Sequence, residues 1–64
     1  MDARKTIYDF LTLPSSQRRF IAERYDAFVP GELEHERSKR VVAAVVAQGK
    51  QTEFAELVDA AKSN

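Results

Sequence analysis

Residues 41–61 read VVAAVVAQGKQTEFAELVDAA, two apolar patterns of helical period meeting at one glycine. Val41, Val42, Val45 and Val46 recur at spacings that gather them into one broad stripe, while Ala43, Ala44 and Ala47 form a second face of small residues. Valine is only a moderate helix former, so packing rather than propensity must hold this segment, and apolar residues on two sides predict a helix sandwiched between neighbours. Gly49 suits the left-handed position just past a helix end, where glycine bears no Cβ penalty. Beyond it Phe54, Leu57, Val58 and Ala61 follow the i, i+3, i+4, i+7 pattern, with Thr52 placed to cap that last helix. A corner this short folds the last helix back onto the valine-lined one.

The rest of the chain carries the same period. A first helix is predicted over residues 3–12, with Asp2 as N-cap; Ala3, Ile7, Phe10 and Leu11 share a face and Tyr8 lies at its edge. A second is predicted over residues 15–27, with Pro14 in its first turn, Thr12 or Ser15 as cap, and an apolar arc of Phe20, Ile21, Tyr25 and Phe28. Arg24 falls inside that arc. Either its aliphatic stem covers the core edge while the guanidinium reaches water, or it is a paired, partly buried charge that fixes helix docking. Pro30-Gly31 marks a turn. Helical pattern resumes at Glu32 and runs to Gln48, with Ser38 placed to cap a break that would split it in two. No stretch alternates as a strand does. The expected fold class is all-α, a compact bundle of four to five short helices with room for a sixth.

A chain of 64 residues is near the lower limit at which one apolar core suffices, and it has no cysteine to supply a disulfide or thiolate metal site. Ten basic residues balance ten acidic ones. A dedicated nucleic-acid binder normally carries a basic excess, so the balance argues against that class and leaves self-association electrostatically permitted. No apolar run reaches the ~20 residues that span a bilayer, and MDARKTIYDF lacks the apolar centre of a secretory leader. The expectation is a single soluble, cytoplasmic domain over residues 1–64, excised from a larger protein.

Candidates for chemistry are few. His35 is the only histidine, in a mixed-charge run that suits a solvated helix residue better than a pH-sensitive contact. Ser15, Ser16, Ser38 and Ser63 have no histidine base at a suggestive spacing, and there is no glycine-rich phosphate loop. No catalytic, cofactor-binding or metal-ligating residue is therefore assigned. What remains is charge in patches. Arg18 and Arg19 form a basic pair, Arg37, Lys39 and Arg40 a basic cluster behind Glu32, Glu34 and Glu36, and Glu53, Glu56 and Asp59 an acidic row opposite the last helix's apolar stripe. Solvation and weak helical pairs worth ~0.3 kcal/mol each account for many such runs. Patches of opposite sign also let one copy's acidic surface meet another's basic surface, a contact that need not close and can grow into a filament. The expected protein interface has Arg18, Arg19, Arg37 and Arg40 on its positive side and Glu53, Glu56 and Asp59 on its negative side.

The order FLTLPSSQRRFIAERY, then PGEL, then RSKRVVAAVVAQGKQTEFAELVDAA resembles the prokaryotic effector-associated domains, small death-like helical modules related in layout to caspase-recruitment and death domains. The arginine-led helix ending in AAVVAQGKQTEFAELV is the strongest part of the likeness, and it extends over nearly the whole chain. A death fold has six helices, so one would be missing, compressed or hidden within DAFVPGELEHE. The resemblance implies a non-catalytic adaptor, fused to an effector in bacterial anti-phage or self-killing systems, that recruits another death-like domain by like-with-like binding. It carries over no catalytic residue. A second reading is a small helix-turn-helix DNA-binding protein or antitoxin, with Arg18, Arg19, Arg37, Lys39 and Arg40 on phosphates; against it, the connection between the second and third helices is long. A third is a fragment of a larger helical domain, which would expose valines and phenylalanines.

Overall fold

The computed structural model describes residues 3–63, and these contain four α-helices and no strand. They are α1 Ala3–Leu11, α2 Ser15–Arg24, α3 Glu34–Gln48 and α4 Gln51–Lys62. The Asp2 cap lies outside the described residues. The Cα radius of gyration is 10.5 Å, close to the roughly 10.7 Å expected of a compact chain of this length.

Helix α4 is the element that all the others touch: α1, α2 and α3 each pack on it, and α2 packs on α3 as well. Phe54 sits at the centre of that arrangement. Its ring centroid lies 5.3 Å from Phe10 of α1 and 6.1 Å from Tyr25 at the end of α2, tilted 60° and 68°, the inclined geometry that aromatic quadrupoles favour. Leu13, Ile21, Ala22, Ala27, Val41, Val45, Val58 and Ala61 complete the buried cluster. Each fully buried side chain of this size stabilises by roughly 1.5–3 kcal/mol, so Phe10, Ile21, Val41, Phe54 and Val58, the largest with no exposed surface to speak of, dominate the apolar term.

Three helices turn a different edge of their stripe inward from the one their periodicity suggests. In α1, Thr6 and Phe10 are buried, Ile7 is half-buried, and Leu11 and Tyr8 are exposed. In α2 the inward residues are Ile21 and Ala22; Phe20 is 52% exposed and Arg24 lies in solvent on the same side. Ala22, a side chain small enough for close backbone approach, takes the inward place that Phe20 was expected to fill. In α3, Val41 and Val45 are buried and Val42 half-buried, but Val46 is 56% exposed and Ala43 and Ala47 face solvent. Helix α3 does lie between two neighbours, α2 and α4, and Ala44 is half-buried, but the rest of the small-residue face stays open. With α1 packed on α4, no neighbour is left to cover its outer side.

The segment expected as a separate short helix belongs to α3, which is continuous from Glu34. Ser38 is buried inside it and its hydroxyl donates to the Glu34 carbonyl at 3.1 Å, the i−4 back-bond that lets serine sit within a helix. Residues 26–33 form no helix, so none is hidden there. Instead Val29-Pro30-Gly31-Glu32 is a turn closed by Glu32 N–H donating to Val29 O at 3.1 Å, with Gly31 at φ 84° as a type II turn requires after proline.

Two helices end in the same paired-bond motif. At α2, ending three residues sooner than expected, Ala27 N–H donates to Ala22 O and Asp26 N–H to Glu23 O; at α3, Lys50 N–H donates to Val45 O and Gly49 N–H to Val46 O. Both need a left-handed residue. Gly49 supplies it at φ 66° and Asp26 at φ 54°. Helix starts are plainer. Pro14, Leu33 and Lys50 occupy the cap positions without side-chain cap bonds; Thr12 bonds back to Asp9 O and Thr52 lies within the first turn of α4, so none of the expected hydroxyl caps forms.

Candidate protein-interaction surface

The four arginines expected on the positive side come together in one network at the junction of α2, the 25–33 segment and α3. Arg18 Nε lies 3.2 Å from Glu34 Oε1 across the helix pair. Its other guanidinium nitrogens donate to Leu11 O at 3.1 Å and Ser15 Oγ at 3.3 Å, so one side chain ties α1 and α3 to α2. Arg37 Nη1 donates to Glu34 Oε2 at 3.4 Å and Nη2 to Glu32 O at 3.2 Å. Arg40 places two nitrogens 2.9 Å from Glu32 Oε2, and that hydrogen bond holds its guanidinium above the ordinary arginine pKa. The Phe28 ring receives the guanidiniums of both Arg19, at 4.7 Å, and Arg37, at 4.6 Å from its centroid. Cation–π contacts of this kind contribute ~0.5–1 kcal/mol each at exposed sites.

The network divides the four. The side chains of Arg18 and Arg37 are 20% and 12% exposed and turn into the junction, where their Nη groups are hydrogen-bonded and each Nε is buried without a hydrogen-bond partner. Arg19, at 58%, pairs with exposed Glu23, and Arg40, at 53%, reaches in to the nearly buried Glu32 carboxylate, so both arginines keep much of their side chain in solvent. The outward positive face is thus Arg19 and Arg40, with Arg18 and Arg37 as its internal supports.

The acidic row expected on the last helix is present and open. Glu53, Glu56 and Asp59 are all exposed on α4; Glu53 stands 4.0 Å from Lys50, and Glu56 and Asp59 have no ion-pair partner among the described residues. The field of Glu53 and Glu56 reaches Tyr25, whose hydroxyl is buried without a hydrogen-bond partner. Burial first, then Glu53, with Glu56 adding and Arg24 opposing, raises that phenol above its ordinary value of 10.0.

Sequence reasoning picked the arginines but missed what they hold. Glu34–Arg37 is an i, i+3 pair and was legible; Glu32–Arg40 and Arg18–Glu34 are not, because their partners meet only after the 25–33 segment has folded back. Among the described residues no group of three or more His, Cys, Asp or Glu is arranged to hold a metal, His35 is exposed, and the Ser38 and Ser63 hydroxyls donate to backbone carbonyls one turn earlier. Among the described residues no helix is long and apolar enough to cross a membrane. No protein-family model matches the chain, and no curated protein or solved structure matches it.

Proposed function

We propose that this domain is a non-catalytic interaction module that recruits or assembles effectors through like-with-like contacts, a death-like adaptor of the kind its sequence resembles, serving bacterial anti-phage defence or programmed cell death. The observation that supports this reading most is the pairing of two exposed surfaces of opposite sign on different elements: Arg19 and Arg40 beside the α2–α3 junction, and Glu53, Glu56 and Asp59 along α4. A rigid four-helix domain with both surfaces is self-complementary in a head-to-tail sense. Charge at such an interface supplies register and selectivity more than affinity.

The reading predicts concentration-dependent association of the 64-residue protein in sedimentation velocity at low salt, weakening once ionic strength shortens the Debye length to about 3 Å near 1 M. Neutralising the outward pair, as Arg19→Gln with Arg40→Gln, should abolish that association while leaving the helical circular dichroism intact. Arg18 and Arg37 are unsuited to this test because their side chains are mostly buried and bridge the helices. Association that ignores both salt and the double substitution would overturn the assignment of this surface. Retention of generic duplex DNA in a gel shift would instead support the helix-turn-helix reading.

A further inference from the structure

Helices α1 and α3 do not close on one another. The space between them is a shallow groove made of two adjoining cavities of about 310 and 120 Å³ that share Ile7 and Val42 as walls. Its sides are aliphatic and stepped at helical spacing, Ile7 and Leu11 on α1 facing Val42 and Val46 on α3, with Ala43 at the outer lip. Leu11 and Val46 are 45% and 56% exposed. Rows of apolar side chains four residues apart on two helices are the surface into which the ridge of a third helix fits.

The ends of the groove are both electropositive. Lys39 is exposed and, among the described residues, has no ion-pair partner and is the one charged side chain in the lining. At the other end lie Gln51 and Thr52, in the first turn of α4. That helix has no side-chain cap, so its free N–H groups add partial positive charge; Glu53 in the same turn is offset by Lys50. Among the described residues no carboxylate lines the groove.

We infer that the α1–α3 groove is a docking site for an amphipathic helix of a partner protein, one whose apolar stripe is flanked by acidic residues. A second copy is a poorer occupant. Its α4 offers the acidic residues but none of the large exposed apolar side chains, and its α2 offers exposed Phe20 but pairs Glu23 with Arg19, so neither helix brings an anchor and free acidic flanks together. The inference does not rest on the like-with-like contact proposed above, which uses Arg19, Arg40 and the α4 acids and none of the groove residues.

The test uses a fluorescein-labelled, stapled helical peptide with leucines at i, i+4 and i+7 and glutamates on both flanks, titrated by anisotropy against the whole 64-residue protein. A twin peptide carries lysines in place of the glutamates. The glutamate peptide should bind with a dissociation constant of order tens of micromolar and the lysine twin at least about tenfold more weakly. Val46→Glu, at an exposed position that leaves the thermal melt in place, should weaken binding about tenfold, and Lys39→Glu should erase the preference between the twins. Absence of binding up to millimolar peptide, equal affinity for the twins, or indifference to Val46→Glu overturns the inference. So does protein self-association that Val46→Glu removes, since the groove would then belong to a second copy.

Discussion

Where α4 meets α1 and α2, two aromatic rings converge on Phe54; where α2 meets α3, the joint carries arginines, carboxylates and the one ring of Phe28. The two seams are built by opposite chemistry and reached by opposite corners. Gly49 turns the chain into the aromatic seam at no steric cost, whereas Asp26 turns it toward the charged seam in a conformation that costs an L-residue roughly 1–2 kcal/mol. The aromatic seam supplies stability that ionic strength barely touches. The charged seam supplies little net stability for a different reason: Arg18, Arg37 and Glu32 are largely buried, and their desolvation offsets most of the Coulombic gain, although removing one partner alone is costly. Its work is to hold a nine-residue connection, residues 25–33, against the helix pair and to leave Arg19 and Arg40 facing outward.

The sharpest way to break the contrast is Phe54→Ala. Large-to-small changes at a fully buried aromatic cost about 3–5 kcal/mol, comparable with all that a core this small supplies, so thermal circular dichroism should lose its cooperative transition. A retained sharp melt would mean that the aromatic seam is not what holds the fold. Next in size is Gly49→Ala. No atom lies within 4 Å of the added Cβ, so only left-handed strain acts, and a loss of about 1–2 kcal/mol is expected by urea titration.

On the other seam, Glu34→Gln removes the charge that Arg18 and Arg37 share. It should cost about 1 kcal/mol at low salt, and the difference from the parent should shrink toward 1 M salt; the same salt series on Phe54→Leu should show no such convergence. Asp26→Gly relieves the strained corner and should raise the melting temperature by a few degrees, a gain below about 1 kcal/mol once glycine's larger unfolded-state entropy is set against it.

The smallest effect at neutral pH is expected from Tyr25→Phe. The hydroxyl it deletes has no partner, so stability should stay level or rise slightly. The difference emerges in alkali. Because the folded phenol holds its proton above the ordinary 10.0, the unfolded state deprotonates first, and the parent should lose stability as pH rises past about 10. The phenylalanine variant should lack that part of the slope.

Apolar period was enough to locate the four helices and most of the core, because Phe10, Ile21, Val41, Phe54, Val58 and Ala61 lie in stripes that only a helix aligns. It could not say which edge of each stripe turns inward. Periodicity groups Leu11, Phe20 and Val46 with the core for that reason, and it passes over Thr6 and Ala22, because neither side chain advertises burial. The four arginines were legible as a charged face but not as a divided one. What separates Arg18 and Arg37 from Arg19 and Arg40 is contact across residues 25–33, and spacing along the chain carries no record of it.

The central claim, that two outward surfaces of opposite sign meet between molecules, is tested most directly by mixing complementary variants. Arg19→Gln/Arg40→Gln keeps only the acidic surface, and Glu53→Gln/Glu56→Gln/Asp59→Asn keeps only the basic one. Sedimentation velocity should find each variant monomeric alone and a one-to-one dimer in the mixture, capped at two because a single interface survives. A mixture that stays monomeric under conditions where the parent associates would contradict the claim.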